Sequence, residues 1–249
     1  LYGRLTWKGV WMREWAEPTI QSLPKYYLVD DPVEVSWGKP SAMPDPRIAA
    51  NFLIEMVRQH PGEITIIAGG PLTNLALAQR LYPAFASLTK ELVYMGASFN
   101  PQQVINNQIA SDFAREFANS PRREFNIRLD PEAASIVSRS PWPKITIIPV
   151  DPSTATQLTP DLLDCLAKVA PEGMGKILKT WETGFPLWDE IAAAVWLNPS
   201  LVVEQECLYV DYNTNFGPSY GDTLSWREHY RPHLGEQAAS VIRKVDRTN

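Results

Sequence analysis

Hydrophobic and polar positions along the chain follow two alternating patterns. Short apolar runs rich in β-branched residues are typical of buried strands, and they occur at 64–68, 92–95, 145–150 and 201–210. Segments with helical spacing or composition predict helices over 46–60, 75–80, 130–138, 160–169, 173–181, 189–197 and 235–245. Strands that alternate with helices indicate βαβ units. We therefore expect a three-layer αβα fold with a mostly parallel central sheet, covered on both faces.

The first predicted helix has clear boundaries in the sequence. Asp45 is expected to cap it and Pro46 to occupy its first turn, and Pro61 and Gly62 should end it. Its apolar positions Ile48, Phe52, Leu53 and Met56 fall on one helical face.

Composition excludes several classes of protein. Of 249 residues, 45% are hydrophobic and 20% charged, and no apolar run approaches the roughly 18 residues that a membrane span needs. Lys and Arg number 23 against 28 Asp and Glu, a net charge of −5, which argues against a nucleic acid polymer as partner. Cys165 and Cys207 fit no metal-binding spacing, and whether they are bridged stays open.

Domain organisation is expected to be simple. The sequence contains no recognisable linker, so we predict one domain over residues 1–249. Residues 1–44 lack sustained periodicity, and the opening residues from Leu1 onward lack the long apolar core of a signal peptide. We expect a domain that is incomplete at its N-terminus. The sequence does not decide between a secreted and a cytoplasmic location.

Three polar clusters lie near positions where a parallel sheet binds ligands, outside the carboxyl ends of its strands. The first is the segment 70–74, GPLTN, which also suits a plain strand-to-helix turn capped by Thr73 or Asn74. The second is 124–128, EFNIR, predicted as a strand with Glu124 and Asn126 on one face, either solvated or paired with sugar hydroxyls. The third is Asp189, which opens an apolar helix and is expected to be buried, needing a metal or a partner.

Together these segments resemble the inosine-uridine preferring nucleoside hydrolases, particularly a fungal-type branch. The resemblance rests on IAGGPLTNLALA at 67–78, EFN at 124–126 with DPEAA at 130–134, and WDEIAAA at 188–194. The segments MGA at 95–97, FPLWD at 185–189 and PSYG at 218–221 add to it. It covers about residues 45–220.

The resemblance implies hydrolysis of ribonucleosides by a water molecule that Ca²⁺ activates. Asp189 and the main-chain oxygen of Thr73 would bind the metal, while Glu124, Asn126, Asn119 and Asp189 would bind ribose. First candidates for contacts to the base are Asn106, Asn107, Tyr212 and Phe216. The expected partner is a nucleoside substrate, with no membrane involved, and since family members are often dimers or tetramers the resemblance allows a homo-oligomer.

Two departures from the family pattern leave two hypotheses open. Many members have a His that protonates the leaving base where this chain has Trp188, which would stack on a base or pack in the core. The family's N-terminal strand with its Asp-x-Asp-x-x-x-Asp-Asp metal motif is missing here, and Asp30 and Asp31 do not replace it. The chain is therefore either a calcium-dependent nucleoside hydrolase or an inactive homologue that binds nucleosides, ribose or a partner. An unrelated α/β hydrolase is a poor alternative, since no nucleophile elbow is present.

Overall fold

The computed structural model describes residues 43–99, 124–179, 181 and 183–246. The chain divides into two compact units, residues 1–47 and 48–249, and the elements below all belong to the second. The prediction of a single domain over the whole chain stays a prediction. No helix within the described ranges is both long enough and apolar enough to cross a membrane.

One mixed sheet organises the described part of the second unit. Its strands are β1 (Thr65–Ala68), β2 (Glu91–Met95), β3 (Ile145–Ile148), β4 (Val202–Tyr212), β5 (Thr223–Trp226) and β6 (Ala238–Val245). They lie in the order β1-β2-β3-β6-β4-β5. The first four in this order are parallel, and β4 runs antiparallel to both β6 and β5. The mostly parallel sheet expected from the sequence is confirmed.

Helices connect these strands. They are α1 (Ala49–Gln59), α2 (Thr73–Leu81), α3 (Phe125–Leu129), α4 (Pro131–Ser138), α5 (Val150–Ser153), α6 (Pro160–Val169), α7 (Glu172–Leu178) and α8 (Asp189–Leu197). Short 3₁₀ turns occupy Ala86–Leu88, Pro199–Leu201 and Glu228–Tyr230. Helices α6 and α8 have the bounds that the sequence predicts.

Two apolar clusters fill the two sides of the sheet. Because side chains alternate along a strand, Leu92 and Tyr94 of β2 belong to one cluster and Val93 and Met95 to the other. The first cluster includes buried residues of α2 and α4, and the second includes Ala192 and Val195 of α8. This arrangement gives the predicted three-layer architecture.

The predicted C-terminal helix over 235–245 is wrong, because β6 occupies this segment. Its neighbours Val241 and Ile242 point to opposite faces of the sheet and are both buried. A strand buried on both faces has no polar side, so its apolar run cannot be told from a helix by periodicity. Main-chain pairing with β3 on one side and β4 on the other decides the outcome.

The predicted strand over 125–129 is also wrong, since these residues form α3. The Glu124 carboxylate accepts hydrogen bonds from the main-chain N–H groups of Asn126 and Ile127 and so caps the helix. A side-chain cap of this kind outweighs a weak alternation of apolar residues over five positions. Asp130 and Pro131 begin α4 as expected, with the Asp130 side chain accepting from Ala133 N–H.

The start and the buried face of α1 differ from the prediction. The helix begins at Ala49 without a side-chain cap, and the Asp45 carboxylate instead binds the Arg47 guanidinium at 2.6 Å. The buried positions are Ala50 and Val57, whereas Ile48 is 67% exposed. The buried face runs through Ala50, Leu53 and Val57, so of the predicted positions Leu53 packs against the core cluster.

Glu91, at the start of β2, is expected to stabilise the fold in a pH-dependent way. Burial raises the pKa of its carboxyl, but hydrogen bonds from Lys144, Trp196 and Thr65 outweigh this and hold the pKa below its ordinary value of 4.5. A depressed pKa contributes stability above about pH 4.5, and this contribution is lost as the pH falls through the folded-state pKa.

The Glu91→Gln variant should therefore lose about 2 kcal/mol of unfolding free energy at neutral pH. Its difference from the unaltered chain should shrink as the pH falls towards about 4, because a protonated Glu91 resembles Gln. Urea unfolding at several pH values measures both quantities. A difference that stays constant over this range would contradict the assignment.

Candidate functional site

The carboxyl ends of β1 and β2 bring together residues from three distant segments. Gly69 follows β1, and its main-chain oxygen accepts a hydrogen bond of 3.4 Å from Asn126 Nδ2. A Cβ atom on Gly69 would lie only 2.9 Å from Cγ of Asp189, so the Asp189 carboxylate packs directly on this glycine. Asn126 and Asp189 thus meet at Gly69, at the edge of the sheet where the sequence predicts a ligand site.

Glu124 is held in place by main-chain N–H groups. Its side chain is buried, with Oε1 accepting from Asn126 N at 3.0 Å, and Oε2 accepting from Ile127 N at 3.0 Å and from Ala97 N at 3.3 Å. Ala97 has a positive φ of 76°, which orients its N–H towards the carboxylate. A sugar hydroxyl that binds Glu124 therefore has to share the carboxylate with these three N–H groups.

Asn126 links the ends of the two strands through its amide group. Besides Gly69, Nδ2 donates to the main-chain oxygen of Met95 at 3.2 Å and lies 3.4 Å from Met95 Sδ. Its Oδ1 accepts no hydrogen bond from the described residues. This oxygen is therefore the part of Asn126 that a ligand hydroxyl can use.

Asp189 is the first residue of α8 and is exposed, which corrects the expectation that it is buried. The helix buries only one side, at Ala192 and Val195, although its sequence is apolar all round. Partial desolvation of the carboxyl, followed by the charge of neighbouring Glu190, raises the pKa of Asp189 to about 6. Within the described ranges no residue donates a hydrogen bond to it.

Thr73 begins α2 but does not cap it, since the N-cap position belongs to Leu72. Its hydroxyl instead donates to Asp130 Oδ2 at 2.6 Å, which ties the start of α2 to the start of α4. The proposed metal ligand is the main-chain oxygen of Thr73, which takes no part in this side-chain bond. That role stays a prediction.

The aromatic candidates have different surroundings. Trp188 is half-buried and packs against the cluster that contains Val93 and Met95, so core packing is one of its roles. Tyr212 is 2% exposed, and its hydroxyl lies 2.5 Å from that of Tyr94, which leaves no face for stacking on a base. Phe216, in contrast, is 80% exposed. Asn106, Asn107 and Asn119 lie outside the described residues.

The described residues alone do not form a calcium site. No group of three or more His, Cys, Asp or Glu side chains able to hold a metal ion occurs among residues 43–99, 124–179, 181 and 183–246. Asp189 and the main-chain oxygen of Thr73 would supply two ligands, whereas Ca²⁺ takes about six to eight oxygen ligands. Surface clefts of 580 and 370 Å³ are lined by none of the described candidate residues.

Sequence reasoning missed Gly69 and Ala97, which contribute main chain rather than side chain to the site. The paired glycines at 69 and 70 directly after a strand were a signal for a close approach of another group. Nothing in the sequence distinguishes Ala97 as a residue with positive φ.

Comparison with known proteins identifies the family of this chain. The family model described as "Inosine-uridine preferring nucleoside hydrolase" matches residues 19–249. The "Uncharacterized protein C800.11" of Schizosaccharomyces pombe is 31% identical over 238 residues, which are 89% of this chain and 55% of that protein. The "Pyrimidine-specific ribonucleoside hydrolase RihB" of Escherichia coli is 32% identical over 188 residues, covering 71% of this chain and 55% of that enzyme.

A solved structure agrees at the level of the fold. The "Purine-Preferring Ribonucleoside Hydrolase from Gardnerella vaginalis" superposes with a TM-score of 0.65 at 22% identity, over 84% of this chain and 64% of that one. The chain thus spans little more than half the length of the two curated relatives. On the match of the family model over residues 19–249, the chain belongs to the inosine-uridine preferring nucleoside hydrolase family.

Proposed function

We propose that this protein hydrolyses the N-glycosidic bond of ribonucleosides, releasing ribose and the free base. The observation that carries the proposal is the meeting of Asn126 and Asp189 at Gly69, beside Glu124, which caps α3. Membership of the nucleoside hydrolase family and the names of the relatives support the same reaction class.

Three side chains have separate roles in the proposed reaction. Asn126 Oδ1, which accepts no hydrogen bond from the described residues, and the carboxylate of Glu124 accept hydrogen bonds from ribose hydroxyls and so orient the sugar. The negative charges of Glu124 and Asp189 stabilise the positive charge that develops at the anomeric carbon. With a pKa of about 6, Asp189 is mostly ionised at neutral pH and can accept a proton from the attacking water.

Calcium is the cation that we propose for the complete site, because carboxylate and carbonyl oxygens suit a hard ion. Its chemistry would be to lower the pKa of the attacking water. Asp189 and Thr73 are the described residues proposed to bind it, and the remaining ligands have to come from outside the described ranges. Hydrogen bonding of Asn126 and Glu124 to ribose does not depend on the ion, whereas a bound cation would lower the pKa of Asp189 below about 6.

Ribose release from uridine and inosine tests the proposal directly. The purified chain is incubated with each nucleoside in the presence of Ca²⁺ or of a chelator. Release that the chelator abolishes supports both hydrolysis and the metal. If the chelator does not change ribose release, calcium is removed from the proposal. If the folded chain releases no ribose under either condition, hydrolysis by this chain is overturned.

The second candidate function is binding of nucleosides or ribose without turnover. It is favoured by the lack of a three-ligand metal group in the described residues and by the three main-chain N–H groups already bound to Glu124. Calorimetry with ribose separates it from the first candidate. Ribose binding that is insensitive to the chelator, without release from uridine, favours the binding protein.

Trp188 leads to a prediction about leaving groups. The indole at this position has no acidic proton to give to a departing base, so Trp188 cannot act as the general acid. We expect p-nitrophenyl riboside, whose phenolate leaves without a proton, to be cleaved at least about 100-fold more efficiently than inosine. Comparing kcat/KM for the two substrates measures this. Equal values would mean that another residue protonates the base.

A further inference from the structure

Three consecutive main-chain N–H groups after β2 donate to side chains from three different parts of the chain. The bonds run from Ala97 N to Glu124 Oε2 at 3.3 Å, from Ser98 N to Thr223 Oγ1 at 3.0 Å, and from Phe99 N to Asp151 Oδ2 at 2.9 Å. The acceptors belong to the cap of α3, the start of β5 and the helix α5. Side chains of these neighbouring elements therefore set the conformation of residues 97–99.

Ala97 has a strained main chain within this segment. Its φ of 76° lies in the left-handed region, which an alanine adopts at a cost that glycine does not incur. Its side chain is fully buried, and its main-chain oxygen accepts a hydrogen bond of 3.1 Å from Val150 N. Such a conformation persists only where the surrounding structure imposes it, and strain of this kind is typical of functional sites.

Asp151 anchors the end of the segment. Both of its carboxylate oxygens lie close to Phe99 N, at 2.9 and 3.3 Å. A charged acceptor makes a stronger hydrogen bond than a neutral one. Without this anchor, Ala97 can relax to a negative φ, and its N–H then turns away from Glu124.

The N–H of Ala97 fixes the Glu124 carboxylate against the end of β2. The other two N–H groups bound to this carboxylate, those of Asn126 and Ile127, belong to α3 itself. A Cβ atom on Gly96 would lie 3.4 Å from Glu124 Oε2, so the carboxylate lies directly beside the main chain that follows β2. The position of Glu124 relative to the sheet thus depends on the conformation of Ala97.

His233 offers a comparison outside the candidate site. Its φ of 58° is also left-handed, and the buried Glu236 carboxylate accepts hydrogen bonds from His233 N at 2.9 Å and Leu234 N at 2.7 Å. Both non-glycine residues with positive φ in the described part of the chain therefore lie in segments that a carboxylate anchors. Only at Ala97 does the strained residue donate to a residue proposed to bind ribose.

We propose that Asp151 is a positioning residue of the ribose site, which holds Ala97 in its left-handed conformation and thereby aims the Ala97 N–H at Glu124. The proposal rests on the proposed function, because it takes Glu124 to bind ribose. Asp151 acts through the main chain of residues 97–99, without contact to the sugar.

Calorimetry with free ribose tests the proposal. Asp151→Ala removes the acceptor of Phe99 N, and ribose should then bind about fivefold more weakly, a loss that matches the cost of a left-handed alanine. Glu236→Ala is the matched control, because it removes the carboxylate beside His233. It should destabilise the fold and leave the ribose affinity unchanged.

Repeating the measurement in an Ala97→Gly background separates positioning from general support of the fold. Glycine adopts a positive φ without the strain that a Cβ atom causes, so the anchor is no longer needed. In this background Asp151→Ala should weaken ribose binding by less than about twofold. A purely structural role of Asp151 would give the same loss of affinity in both backgrounds.

Hydrogen exchange of the Ala97 amide reports the conformation of the segment without a ligand. Asp151→Ala should speed this exchange about fivefold, whereas Glu236→Ala should not change it. Asp151→Asn keeps an acceptor oxygen but loses the charge, so smaller changes in the same direction are expected. This variant keeps the test valid if Asp151→Ala fails to fold.

Three results would overturn the proposal: unchanged exchange of the Ala97 amide in the Asp151 variants, faster exchange with unchanged ribose affinity, or equal losses of affinity with and without Ala97→Gly. Its failure can be told from that of the proposed function. Ribose affinity that does not respond to Asp151 overturns the positioning role alone. A chain that binds ribose in the expected way but releases none from uridine overturns hydrolysis alone.

Discussion

Asp189→Asn is expected to reduce ribose release about a thousandfold, the largest effect of any single substitution in the proposed site. Asn has the same shape, so the packing against Gly69 and the start of α8 should survive. What disappears is the negative charge beside the anomeric carbon and the acceptor for the proton of water. Initial rates with uridine measure the change, and circular dichroism checks the fold.

The neighbouring Glu190 provides a control in the metal-free chain. Partial burial first and the charge of Glu190 second raise the pKa of the Asp189 carboxyl to about 6 when no cation is bound, so Glu190→Gln should lower this pKa, which an NMR titration in the presence of a chelator measures. The same change should leave the maximal rate of ribose release nearly intact, since Glu190 has no role in the proposed reaction. An Asp189→Asn variant with nearly full activity would exclude Asp189 from the chemistry.

Glu124→Ala is expected to have the second large effect, on stability as well as on binding. The change leaves three main-chain N–H groups without their acceptor in a buried place, at Asn126, Ile127 and Ala97. Loss of a helix cap together with unsatisfied buried donors should lower the free energy of unfolding by about 3 kcal/mol. Ribose binding should be lost as well.

Thr159→Ala is the matched control for this prediction. Thr159 caps α6 through Leu162 N at 3.2 Å, but at an exposed position where water can replace the lost acceptor. It should lower the unfolding free energy by about 1 kcal/mol and leave ribose binding unchanged. Urea unfolding and calorimetry compare the two variants. Equal stability losses would show that burial of Glu124 adds nothing to its role as a cap.

The elements that sequence patterns identified correctly are those with unambiguous signals. The apolar runs of β1, β2 and β3 are flanked by glycine, proline or charged residues, and the residues Thr159 and Pro160 mark the start of α6. The errors in β6 and α3 fall where a signal has two readings, whereas the start of α1 differs from a prediction based on a clear cap signal. Both faces of β6 are buried, and the alternation in 125–129 competes with a cap supplied by Glu124.

For the candidate site, the sequence identified the side chains but not what surrounds them. Asn126 and Asp189 were selected by motif, and both do contact Gly69. One of the N–H groups that Glu124 accepts from depends on the turn at Ala97, where an alanine gives no signal of its positive φ. The exposure of Asp189 depends on which side of α8 faces the sheet, and an apolar helix leaves that undetermined.

The position of β6 in the sheet has a consequence for how the protein reaches its native state. This strand comes last of the six along the described chain, yet it lies between β3 and β4 and is hydrogen-bonded to both. Until it inserts, the edges of β3 and β4 expose unpaired main-chain groups that could pair with other molecules. During synthesis, the parallel strands β1 to β3 and the antiparallel pair β4 and β5 can therefore join into one sheet only after β6 has left the ribosome. We expect a slow, aggregation-sensitive step at that stage, which chaperones would relieve.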